Sequence, residues 1–309
     1  MQKHFRIATA LSFVLAVSAP APNSFARSDA KAEHIITSEE QNDISKESVL
    51  KMDGLMREHV AKITVHCKTP MEVAKAIYDD IRSYGEEGKL TKAGITANAQ
   101  RTFYLRRGYC SARSYLFIAM FNERMKALGL KAEAHPCEIY RNSNAFRTIP
   151  HMAVAVVEGD YTVIFDPTLN KIIDRRVKPI AARTLGVDGV LSNYYINLAA
   201  VADTNKDHVA AERLARAAVR LEPKSAFAHY ILAEYLVENG KLEEAKKEAE
   251  ATVKLAPVWP NGYETLEDVL IKLGLKREAD NVWGMKRKVL SRESFNIDEF
   301  LKEMGYKPK

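Results

Sequence analysis

The last third of the chain repeats itself every 34 residues. Leu221-Glu222-Pro223 returns as Leu255-Ala256-Pro257, and Gly240-Lys241-Leu242-Glu243-Glu244-Ala245 returns as Gly274-Leu275-Lys276-Arg277-Glu278-Ala279. Tyr195 and Leu198 align with His229 and Leu232, then with Tyr263 and Leu266, while Ala211, Ala245 and Ala279 stay in phase. A period of this length marks stacked supersecondary units, each too small to bury its own apolar face. The small residues let neighbouring backbones approach closely. The prolines, which cannot continue a helix, close each unit.

This pattern resembles the tetratricopeptide repeat, which implies two antiparallel helices per unit. The units run 192–225, 226–259 and 260–293, with Trp283 where a smaller apolar residue is usual. The tail, 294–309, reads as a cap. Stacks of this kind present a concave surface to a protein or peptide; packing onto the preceding domain is the other reading, and both stay open. Arg213, Arg216 and Arg220 share one helix face and read as a solvated stripe.

With 309 residues the chain has room for two domains. Its hydrophobic share of 47% and charged share of 28% exclude a disordered, collagen-like or multi-span membrane chain. Residues 1–26 read as an export signal. Lys3, His4 and Arg6 precede the apolar stretch Ile7–Ala19, and Ser24-Phe25-Ala26 puts small residues before a cut at Arg27. The apolar stretch is shorter than the roughly 20 residues a spanning helix needs. An uncleaved anchor is the rival reading. No Cys follows the stretch, which argues against a lipid anchor. Residues 27–45 read as a mobile polar arm with no tendency to insert into a membrane. The expected location is periplasmic or secreted. Without Lys3 and Arg6, 44 basic residues face 40 acidic ones. That surplus is small and interleaved, so it offers no nucleic-acid surface.

Three cysteines are too few for a disulfide scaffold. After export, one pair and one free thiol is the simplest arrangement. If one thiol is catalytic, Cys67–Cys137 is the pair left over; two buried, unpaired thiols are the alternative. His135-Pro136-Cys137 lacks the further ligands that zinc spacing requires. No phosphate loop or cofactor motif is evident.

Between residues 46 and 200 helical and strand signals mix. Val49–Val65 and Met71–Tyr84 have helical periodicity, with Thr69-Pro70 as cap and first turn of the second helix. Gly108-Tyr109-Cys110 opens an amphipathic helix that Gly129 stops after Leu128. A Cys there meets the partial positive charge of free N–H groups, which favours the thiolate and can hold an oxyanion. Gly108 permits a turn that a Cβ obstructs. Lys131–Tyr140 reads as a strand, and Met152–Val157 with Tyr161–Phe165 as a hairpin. A Glu158-Gly159 loop places His151 opposite Asp166; a Gly159-Asp160 loop moves the partner by two and keeps both on one face. A carboxylate there can orient an imidazole and stabilise its charged form. Thiol, imidazole and acid in the order Cys110, His151, Asp166 form the pattern of a cysteine nucleophile.

Gly108-Tyr109-Cys110, the helix ending in Ala127-Leu128-Gly129-Leu130, His151-Met152-Ala153-Val154 and Phe165-Asp166-Pro167-Thr168 resemble the transglutaminase-like superfamily over residues 71–170. The resemblance implies an α+β class: a papain-like core (46–191) with an antiparallel sheet, followed by the α-helical repeat stack. It makes Cys110 the nucleophile, His151 the general base and acid, and Asp166 the orienter, with no cofactor and no metal. Tyr84, Tyr104 and Gln100 are the candidates for an upstream residue assisting the oxyanion. The expected activity is hydrolysis of a protein or peptide amide, as peptidase or deamidase, with the repeats binding protein. The alternative is a catalytically silent scaffold of the same fold.

Overall fold

The computed structural model describes residues 45–85, 97–139, 151–174, 182–186 and 188–291. The expected export signal, most of the polar arm and the C-terminal cap lie outside the described residues. Among those described, no helix is long and apolar enough to cross a membrane.

The first half is built from helices α1 (Lys46–Val49), α2 (Gly54–Ile63), α3 (Pro70–Ile81), α4 (Ala99–Leu105) and α5 (Cys110–Leu128). The single helix expected over Val49–Val65 is broken, because Asp53 turns into a cap and accepts the Met56 N–H at 3.0 Å. The start of α3 is as expected: Thr69 and Glu72 form a reciprocal capping box with Pro70 in the first turn. Helix α5 ends at Gly129, in the left-handed region at φ 66°. Its amphipathic pattern holds only toward the C-terminus. Residues Ser111 to Phe121 are buried all round, so α5 is a central helix rather than a surface one.

Among the described residues five strands form one antiparallel sheet in the order β4-β3-β2-β1-β5: β1 (Glu133–Ile139), β2 (His151–Glu158), β3 (Tyr161–Asp166), β4 (Lys171–Asp174) and β5 (Ala182–Thr184). The sequence reading missed β4, β5 and α4, each of them short. Strand β2 is buried on both faces, and its alternation sorts residues by size. Val154 and Val156 join Val163 and Phe165 against α2, α3 and α5. Ala153 and Ala155 lie on the opposite face with Cys137, Ile139 and Ile164. Cys67 packs into the helical cluster and Cys137 on the other side of the sheet; all three cysteines are free, so the Cys67–Cys137 disulfide is not formed.

Among the described residues six helices follow as three pairs: α6 (Gly189–Thr204) with α7 (His208–Leu221), α8 (Ala226–Glu238) with α9 (Leu242–Leu255), and α10 (Pro260–Lys272) with α11 (Lys276–Leu290). Ala211, Ala245 and Ala279 occupy equivalent buried positions on α7, α9 and α11. The 34-residue period extends to the backbone. Lys206, Gly240 and Gly274 each adopt positive φ after the first helix of a pair, and the next residue's N–H bonds five residues back, to Ala202, Leu236 and Leu270.

The turns at one end of the stack dock on the sheet edge. Ser225, the cap of α8, donates to the buried Glu138 of β1. Arg183 Nη2 donates to the Leu255 carbonyl at 2.7 Å, and the Gly186 N–H to Glu222 at 2.7 Å. A Cβ at Gly189 would lie 2.6 Å from Leu185 Cβ and 3.0 Å from Pro136 Cγ, so the α6 backbone must be bare there.

Candidate active site

Helix α5 starts at Cys110, behind an extended Tyr109 whose side chain does not cap it. The first-turn N–H groups have no intrahelical acceptor by the geometry of the helix. Gly108 sits in a close approach rather than a special turn: its φ is not positive, and a Cβ would come within 3.1 Å of Ala112 Cβ and 3.2 Å of Thr102 Cγ2.

The β2–β3 hairpin turns through Gly159-Asp160, with Gly159 at φ 59°. Glu158 pairs with Tyr161 and Val154 with Phe165, which is the second of the two registers. Asp166 therefore falls opposite position 153, diagonal to His151 on the same face, and an imidazole spans that diagonal. His151 Nε2 lies 2.8 Å from Asp166 Oδ1. The same oxygen accepts the N–H groups of Thr168 at 3.1 Å and Leu169 at 2.9 Å, so the Asp-Pro-Thr turn locks the carboxylate.

Cys110 meets His151 from the start of α5. Its sulfur is hydrogen-bonded to the imidazole and to the Met152 N–H; with Nε2 engaged by Asp166, Nδ1 is the nitrogen left for the thiol. Burial pushes the thiol up, but the charge of His151 and these two bonds prevail and hold it below its ordinary value. Burial also opposes the imidazolium, yet the Cys110 charge and the Asp166 bond raise His151 to about 9. Thiolate and imidazolium each make the other's ionised form the stable one. Exposure is graded from Asp166, 1% exposed, through His151, 9%, to a part-exposed Cys110.

Sequence reasoning missed Arg113. It lies one turn after Cys110 and is buried, and it donates to four backbone carbonyls: Gly108 at 2.9 Å, Pro167 at 3.2 Å, and Tyr84 and Gly85 at 2.7 Å each. It ties the approach to the nucleophile, the Asp166 turn and the end of α3 into one frame. Arg113 carried no local signal, since three of its four acceptors come from two distant segments, Tyr84-Gly85 and Pro167.

The three oxyanion candidates are engaged elsewhere. The Tyr84 hydroxyl donates to Asp80 at 3.0 Å and accepts from Arg106. Tyr104 and Gln100 both donate to Asp53, the cap of α2. His135 pairs with the exposed Glu133 and Cys137 is buried among alanines, so the two do not converge. Ser111 and Tyr115, in the first turns of α5, bond Asn197 at 3.4 Å and Asn193 at 2.6 Å on α6, joining the site helix to the repeat stack.

No protein-family model matches this chain, and no curated protein sequence matches it.

Proposed function

We propose that the protein is an exported thiol hydrolase of the transglutaminase-like superfamily, acting on an amide bond of a protein or peptide. One observation carries the reading: a single imidazole bonded at Nε2 to a buried carboxylate, 2.8 Å away, and on its other side to a cysteine at a helix start. In this reaction the Cys110 thiolate attacks the amide carbonyl carbon and the oxygen becomes an oxyanion facing the free N–H groups of α5. The His151 imidazolium gives its proton to the leaving amine as the C–N bond breaks, leaving a thioester. His151, now neutral, takes a proton from water, whose oxygen attacks the thioester; the acid departs and the thiol is restored. Asp166 holds the ring in one orientation throughout. The helical pairs, read as tetratricopeptide repeats, hold the protein or peptide substrate, and the leader directs the chain to the periplasm or the exterior.

The test measures iodoacetamide alkylation of each cysteine against pH, with release of ammonia or new amino termini from a peptide mixture. Cys110 is expected to react fast well below pH 8, to slow at least about tenfold in His151→Ala, and to be essential for release. A Cys110 with an ordinary thiol titration and no turnover would overturn the hydrolase reading in favour of a silent scaffold.

A further inference from the structure

A second cluster of ligating side chains, on the repeat stack, is unused by this chemistry. Asp203 lies in the last turn of α6, His208 opens α7 and Glu238 closes α8. His208 Nδ1 is 3.2 Å from Asp203 Oδ1 and 3.8 Å from Glu238 Oε2, and the three donor atoms all lie within 4.8 Å of one another. Ligands about 2.0–2.2 Å from a tetrahedral zinc ion stand roughly 3.3–3.6 Å apart, so these donors need little movement to close on one ion.

An independent observation points to a missing partner. Tyr235 lies one turn before Glu238 on α8 and is fully buried, and its hydroxyl has no hydrogen-bond partner among the described residues. Asp203 and Glu238 are the charges that act most strongly on it. An unpaired phenol beside two carboxylates is costly, and a metal-bound water satisfies it. The cluster also breaks the protein's own repeat. One period on, Asp203, His208, Tyr235 and Glu238 become Val237, Leu242, Val269 and Lys272. The donor set is specific to the junction of the first and second helical pairs.

We propose that Asp203, His208 and Glu238 bind a divalent first-row transition ion, Zn²⁺ by choice, with Tyr235 hydrogen-bonded to a water in the remaining position. The imidazole favours such an ion over Ca²⁺ or Mg²⁺, which take oxygen donors. The ion fastens the α6–α7 turn to the end of α8.

The test uses the mature chain carrying Cys110→Ala, which removes the competing thiol–imidazole pair. Calorimetric titration with Zn²⁺ is expected to show one ion per chain, with affinity reduced at least about 100-fold by His208→Ala or Glu238→Gln and about tenfold by Tyr235→Phe. Glu238→Gln is nearly isosteric at a helix end, so it reports even where His208→Ala folds poorly. Co²⁺ is expected to give d–d absorption without a thiolate charge-transfer band. Excess Zn²⁺ should raise the thermal midpoint of the parent chain and not of Glu238→Gln. Absence of saturable binding would overturn the proposal. So would binding unchanged by Glu238→Gln, or a Co²⁺–thiolate band.

Discussion

Arg113 and the Cys110–His151–Asp166 chain make the residue-scale predictions. The sulfur is protonated below its lowered pKa, so alkylation of Cys110 should rise through a midpoint under the roughly 8.5 of a free thiol and stay high beyond it. Turnover should fall again above about pH 9, where His151 loses the proton the leaving amine needs. Asp166→Asn removes the charge that favours the imidazolium, so the alkaline limb should move to lower pH; a limb that stays in place would remove Asp166 from its role. Arg113→Met removes the guanidinium bonds to the Gly108, Pro167, Tyr84 and Gly85 carbonyls, of which Gly85 keeps the Gly108 N–H, at a cost of about 2–4 kcal/mol read by urea unfolding. Arg113→Lys should recover only part of this, because an ammonium cannot reproduce the planar fork. The thiol, imidazole and acid were legible in the sequence because each stands beside a helix or strand signal, and the thiol and imidazole are rare types in this chain. Arg113 was not, because its role exists only once the segments at Tyr84-Gly85 and Pro167 meet it.

At the scale of elements, the repeated helix endings differ in one residue. Lys206 holds the positive φ that Gly240 and Gly274 hold in the later pairs. A left-handed conformation costs an L-residue about 1–2 kcal/mol, and glycine gives back part of this through its own chain entropy. Lys206→Gly should therefore stabilise by about 0.5–1 kcal/mol and Gly240→Ala should destabilise by about 1 kcal/mol, measured by thermal unfolding. Helix α7 carries a second test. Burial pushes the Glu212 carboxyl up, but Lys241, Asn239 and Arg216 bind it and hold it down at about 2. A depressed acid contributes stability that is complete above its unfolded value of about 4.5 and lost as pH falls toward 2. Glu212→Gln should flatten the stability profile in that window. Arg216 lies between Glu212 and Glu244, so the stripe of arginines is tied into carboxylates at that position.

Over the whole molecule, the sheet and the stack meet through α6, the loop after β5 and the polar bonds around Glu138, Arg183 and Glu222. Trp259 and Trp283 both report the stack, and the buried Cys137 reports the sheet. Tryptophan fluorescence and Cys137 alkylation should follow one urea transition. Gly189→Ala forces Cβ into Leu185 and Pro136 and should lower both probes together, by about 1–3 kcal/mol. Two separated transitions would show that the halves fold independently. Trp283 also reflects position in the stack. Its equivalents Ala215 and Ala249 are fully buried, whereas Trp283 is 46% exposed and carries Arg287 on its ring.

Local chemistry was enough for the repeat period, the cap at Thr69, the stop at Gly129, the hairpin at Gly159 and the order of thiol, imidazole and acid. Each is a short-range signal: a helix cap, a glycine conformation, an alternation of side chains. The tertiary structure decided the rest. The strands β4 and β5 depend on neighbours remote in sequence. The hairpin register was open by two residues until the ladder settled it, since both registers bury the same face. The free state of Cys67 and Cys137 follows from their lying on opposite sides of the sheet. The buried guanidinium of Arg113 and the convergence of Asp203, His208 and Glu238 arise only when separate turns pack together. Spacing along one chain carries no information about that packing.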